Sequence, residues 1–200
     1  MRKELPHYRI GSSYGGNQEF FDGFMMKIGG CAAETAMECC IYLDKYCGTH
    51  LCPMDTAHIT LDEYKKIAQI MKPYLHPRMS GIDKLSIYLE GFGAYLKERN
   101  CPLTLEGVEG DTDITEAKRL LVAQIENDLP VPYLCLNHNN RRFKEYEWHW
   151  FLINGYEQFE DKLMVKAVTY STFEWLDFDE LWNTQRSRKG GFILMRNSLP

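Results

Sequence analysis

Apolar residues recur at three- and four-residue steps through most of the first 130 positions of this chain, and at two-residue steps or in unbroken runs after Pro130. That change of period constrains the fold more than any other feature, because the longer step builds a helix with a buried face and the shorter one builds a strand. Ala32, Ala33, Ala36, Met37, Cys40 and Leu43 predict a helix from Cys31 to about Tyr46 with one buried face. Thr60 with Glu63 is a capping-box pair and predicts a second helix over 61–72, ended by Pro73. Ser80 with Asp83 predicts the start of a third, whose stripe is Leu85, Tyr88, Leu89, Phe92 and Leu96. A short strand at 102–108 precedes a fourth helix over 114–128, capped by Thr112 or Asp113 and stopped before Pro130.

Four later runs, "VPYLCLNH", "WHWFLINGYE", "KLMVKAVTY" and "GGFILMRN", are rich in β-branched and aromatic residues and predict strands, with a helical turn at "DFDELWNTQ" before the last. Helices first and strands second is the segregated order of an α+β domain. Residues 1–24 show Gly, Ser and aromatic residues in no clear period and read as an irregular arm, leaving 25–200 as a single domain.

With 44% apolar and 26% charged residues in 200, the chain has material for one sizeable core. A net charge of −5, from 28 acidic and 23 basic side chains, offers no basic stripe for nucleic acid. No run of about 18 apolar residues is present to span a bilayer, and the basic start has no apolar stretch behind it, so a cytoplasmic location is expected. The seven cysteines, odd in number and scattered, do not form a disulfide framework and are expected to be reduced thiols.

One thiol stands apart. In "KIGGCAAETAMECC", Cys31 follows two glycines and opens a helix, where unpaired backbone N–H groups favour a thiolate and leave room for a substrate carbonyl beside the Cys31 N–H. The bland reading is a small buried hydrophobe beside alanines. A nucleophilic thiol needs a base, and of six histidines His7, His50, His58, His76 and His138 fall in arm, loop or turn segments. His149 falls inside a strand, sharing a face with Phe151 and Ile153, either as a core residue or aimed at a cleft. Metal binding by Cys47, His50 and Cys52 lacks the second cysteine pair usual for zinc, and Cys39 lies about 12 Å along the helix from Cys31, so no metal and no other cofactor is expected.

Taken in order, the "GGC" helix start, the helices, "NDLPVPYLCL", "HWFLINGYEQFEDKLMVKAV", "LDFDELW" and "GGFILMR" resemble the papain-like cysteine peptidases, most of all the bacteriocin-type double-glycine leader peptidases and their stand-alone relatives. The resemblance covers roughly residues 25–196. It implies a papain-like α+β fold, a helical half and an antiparallel sheet half with a cleft between them. It also implies a thiolate–imidazolium pair of Cys31 and His149 acting on a peptide or amide substrate as peptidase, amidase or acyltransferase. Where that family carries Asp or Asn to orient the histidine, this chain has Thr169; Asn154 has the wrong strand parity. Where the family places Gln before the cysteine as oxyanion donor, this chain has Met25, with Asn17 and Gln18 further upstream as the donors that could fold back. A degenerate papain-like module that binds a peptide, and an unrelated α+β binding protein, are the other two expectations.

Overall fold

The computed structural model describes residues 1–197; the last three residues of the expected 25–200 domain lie outside them. The chain begins with β1 (Arg2–Glu4), β2 (Arg9–Ile10) and β3 (Ser13–Tyr14), then a 3-10 turn (Gln18–Phe20) and the short helix α1 (Phe24–Gly29). Four helices and a strand follow: α2 (Cys31–Cys47), α3 (Leu61–Met71), α4 (Leu85–Glu98), β4 (Leu103–Glu109) and α5 (Ile114–Glu126). The remainder is β5 (Val131–Cys135), a 3-10 segment (Arg141–Tyr146), β6 (His149–Phe159), β7 (Lys162–Thr169), β8 (Thr172–Asp177), the turn of helix α6 (Phe178–Trp182) and β9 (Gly190–Asn197). The fold is mixed α+β, with a sheet ordered β4-β9-β5-β6-β7-β8 in which every pair is antiparallel.

Local chemistry explains the helix ends. Thr60 and Glu63 form the reciprocal capping box at α3, and the Asp113 carboxylate accepts from the N–H groups of Thr115 and Glu116 at α5. Gly48, in the left-handed conformation at φ 72°, closes α2 by donating its N–H to the Leu43 carbonyl. Ser80 does not cap α4, which begins at Leu85 after Lys84; Gly81 closes a turn onto the Arg78 carbonyl, and Asp83 pairs instead with Arg188.

The periodicity of α2 predicts one buried face, but the helix is buried on all sides from Cys31 to Leu43, including Glu34 and Glu38. It lies against β6 and β5 and is flanked by α3, while the N-terminal arm crosses its remaining side. The small side chains at 32, 33 and 36 let these neighbours approach closely. The two carboxylates survive burial because each is hydrogen-bonded. The Tyr64 hydroxyl donates to Glu34 at 3.2 Å, and the Tyr8 hydroxyl and Gly16 N–H donate to Glu38 at 3.1 and 2.8 Å.

The arm is tied down along its length. Strand β1 pairs with Gly155–Glu157 of β6, beyond the stretch that β5 covers. The buried ammonium of Lys166 on β7 donates to Glu4 and to the Tyr14 hydroxyl, both at 2.8 Å. Between β7 and β8 the chain reverses in two residues, Tyr170 and Ser171, at φ 51° and 61°. Left-handed hairpin turns favour Asn and Gly, and a bulky residue there costs about 1 kcal/mol or more. Three hydrogen bonds from the arm meet this strained turn: Tyr14 N–H donates to the Ser171 carbonyl, and Ser171 donates its N–H and its hydroxyl to the Gly16 carbonyl.

Candidate active site

Helix α2 and strand β6 bring Cys31 and His149 to the same end of the sheet. Cys31 is the first residue of α2, entered from Gly30 without a side-chain cap, so its neighbouring N–H groups are free to act on the thiol. The N–H groups of Cys31 and Ala32 do so, together with the N–H of Trp150, the residue that follows His149 on β6. Both glycines before the thiol are required for space. A Cβ on Gly29 would lie 2.3 Å from the Arg78 carbonyl oxygen, and one on Gly30 would lie 2.3 Å from that of Met26.

His149 opens β6 and is buried. Its Nε2 lies 2.7 Å from the Thr169 hydroxyl, at the last position of β7. That is the one hydrogen bond of the ring among the described residues, and it leaves Nδ1 as the nitrogen for exchange with a thiol. Tyr170 covers the imidazole in parallel, with centroids 4.7 Å apart and planes 5° from each other, and donates its hydroxyl to the Glu145 carbonyl. Asn154, also on β6, is fully buried at the bulge between Ile153 and Tyr156, and neither polar atom of its side-chain amide has a partner among the described residues.

The electrostatics correct one expectation. A thiolate–imidazolium pair needs a lowered thiol pKa and a raised imidazole pKa. Burial drives both the other way: the Cys31 thiol is pushed up to about 11, against the pull of the Trp150 N–H, and the His149 ring is pushed down to about 4. Thr169 explains part of this. A hydroxyl bonds Nε2 in either tautomer but brings no negative charge, so this contact does not hold an imidazolium in a buried place. Burial thus favours the neutral thiol at Cys31 and the neutral imidazole at His149.

The two upstream amides divide. Asn17 is occupied, because its side-chain oxygen accepts from the Glu19 N–H and caps the 3-10 turn. Gln18 places its own N–H toward the Glu34 carboxylate, one helical turn beyond Cys31, and its side-chain oxygen is buried without a partner. The backbone of Gln18 is thus held beside α2, and its side-chain oxygen is uncommitted among the described residues.

Tyr170, Glu34, Glu38 and the Trp150 N–H are not legible in the sequence as site residues; the hint is two carboxylates within the stretch 31–43, whose other side chains are small, apolar or aromatic. A groove of 560 Å³ is lined by Thr169, Tyr170, Phe173 and Glu174 from the β7–β8 hairpin and by Arg141 and Lys144; it touches the supports of His149 but is lined by neither His149 nor Cys31. A second cavity, of 530 Å³ between Asp83 and Arg188, includes none of Cys31, His149 and Thr169. Among the described residues, no three His, Cys, Asp or Glu side chains gather as a metal site, and Cys47, His50 and Cys52 are not brought together as one. No described helix is long and apolar enough to cross a membrane.

No protein-family model, curated protein or solved structure matches this chain.

Proposed function

We propose that the chain is a papain-like cysteine peptidase or amidase, with acyl transfer to another amine as the variant outcome, using Cys31 and His149. The observation that carries this reading is the meeting of a thiol at an uncapped helix start with the β6 amide next to a histidine whose far nitrogen is held by Thr169. Because the resting pair is neutral, the chemistry is general-base attack. As the Cys31 sulfur bonds to the acyl carbon, its proton passes to Nδ1 of His149. The C–N bond then breaks and the imidazolium returns that proton to the leaving amine. Water attacks the thioester, gives a proton to His149, and the thiol is restored as the acid leaves. The Cys31 N–H and the Gln18 amide are the donors for the tetrahedral oxyanion. The groove beside Tyr170 is the place for the peptide or amide substrate.

One observation favours a second reading, a degenerate module that binds a peptide without cleaving it: both candidate groups are buried and driven to their less reactive forms. A peptidyl chloromethyl ketone separates the two. Labelling of Cys31 that collapses in H149A supports the enzyme, and labelling that ignores His149 supports the binding module. Cys47, exposed at the far end of the same helix, reports general thiol reactivity in the same sample.

A further inference from the structure

The arm, α2 and the β7–β8 turn form one connected structure around His149. Gly16 sits at its centre. Its N–H donates to Glu38 Oε1 at 2.8 Å, and its carbonyl accepts from the Ser171 N–H at 2.9 Å and from the Ser171 hydroxyl at 3.3 Å. Ser171 is the second residue of the strained turn whose neighbours, Thr169 and Tyr170, bond to and cover the imidazole. A side chain at residue 16 has no room: its Cβ would lie 1.6 Å from the Tyr64 hydroxyl oxygen. The arm therefore passes between α3 and α2 at Gly15 and Gly16, and Gly16 bonds directly to the turn that carries the histidine's supports.

Resting on the Cys31–His149 reading above, we propose that Glu38 is a positioning residue for catalysis: through Gly16 and Ser171 it fixes the turn that sets Thr169 and Tyr170 against His149. Nucleophile and base are thereby referenced to one helix, since Glu38 lies two turns beyond Cys31 on α2. Glu38 is the α2 carboxylate bonded to the arm, through Gly16 and Tyr8, whereas Glu34, one turn before it, is bonded to Tyr64 of α3.

Glu38 is held by donors, and the charge-assisted bonds from Gly16 and Tyr8 are strongest when it is ionised. The titratable groups that face it are Glu34 and Cys39 on α2, His7 and Tyr8 from the arm, Tyr64 from α3 and Tyr88 from α4. Burial holds Glu34 and Cys39 protonated, keeps the three tyrosines neutral, and lowers His7 to about 3. Glu38, raised by burial to about 7, is the member of this group that changes charge near neutrality.

The test uses the full chain and a peptidyl chloromethyl ketone, reading the Cys31 labelling rate divided by that of the matching H149A variant from pH 5.5 to 8.5. In the wild type this ratio is expected to rise severalfold through about pH 7. In E38Q it is expected to be flat, and in G16A to fall at least tenfold with cooperative unfolding retained. A wild-type pH step persisting in E38Q, or a wild-type ratio in G16A, overturns the proposal. Should G16A not fold, E38Q decides alone. If wild-type labelling ignores His149 altogether, the catalytic reading fails, and the role of the arm is then judged on the His149 ring resonances by NMR. Displacement of those resonances in E38Q between pH 5.5 and 8.5 sustains the positional link, and identity with wild type overturns it.

Discussion

The Thr169 hydroxyl lies 2.7 Å from Nε2 of His149, in the place where a carboxylate or amide would orient a catalytic imidazole. A hydroxyl can donate to or accept from Nε2, so it orients the ring but lends no charge, and burial leaves His149 neutral at rest. T169V, close in shape, is expected to lower the His149-dependent labelling of Cys31 by roughly fivefold, the worth of about 1 kcal/mol for one neutral hydrogen bond. T169D is expected to raise the imidazole pKa above about 4, because a carboxylate stabilises the charged ring. An NMR titration of the His149 ring checks the second, and an unmoved pKa contradicts the orienting role.

In the proposed mechanism, Gln18 is the oxyanion donor supplied by the arm. Q18A is expected to reduce turnover of a peptide amide by about a hundredfold, the cost typical of one lost oxyanion donor. Because its backbone, not its side chain, engages Glu34, the fold is expected to survive with little change in urea midpoint. N17A is the contrasting variant: loss of its cap on the 3-10 turn lowers stability by about 1 kcal/mol. A Q18A enzyme with wild-type turnover would remove Gln18 from the site.

Gly30 joins α1 to α2 directly before the thiol, and its missing side chain lets the Met26 carbonyl approach. G30A is expected to destabilise the protein by about 1–3 kcal/mol through overpacking and to alter Cys31 labelling as well. Chemical denaturation together with the labelling rate measures both. A neutral effect on both would show that the helix junction tolerates displacement.

Stability should depend on pH in two opposed ways. His149 and His7 have folded pKa values lowered by burial, to about 4 and about 3, so the folded state resists protonating them. That contribution is fully present above the unfolded value of about 6.5 and is lost as pH falls toward 4 and 3. Glu34 and Glu38 are raised by burial, so their contribution is present below about 4.5 and is lost as pH rises through their folded values. E38Q removes a buried charge but not the acceptor for Gly16. Its urea stability relative to wild type is therefore expected to be greater at pH 8 than at pH 5. Equal differences at the two pH values would contradict the burial of Glu38 as an ion.

Much of the architecture was legible because it rests on local chemistry. The Thr60–Glu63 box, the Asp113 cap, the alternation in β6 and the Gly190–Asn197 strand each follow from a pattern within a few residues. What escaped depends on long-range pairing. Strand β8 starts with "TFE" after a turn of Tyr and Ser, residues that seldom make a two-residue hairpin, and the turn forms because the arm holds it from 155 positions away. Strand β1 is three residues long and exists only by pairing with β6. Cys31 and His149 stand out in the sequence by helix start and strand position, but the sign of their pKa shifts does not, since burial is a property of the packed whole.

The most direct test of the central claim is the rate at which a peptidyl chloromethyl ketone alkylates Cys31 in the wild type and in H149A, with exposed Cys47 as internal reference. The account predicts labelling of Cys31 that falls at least tenfold in H149A while Cys47 is unchanged. Equal Cys31 rates in the two proteins, or no Cys31 labelling in the wild type, would contradict it.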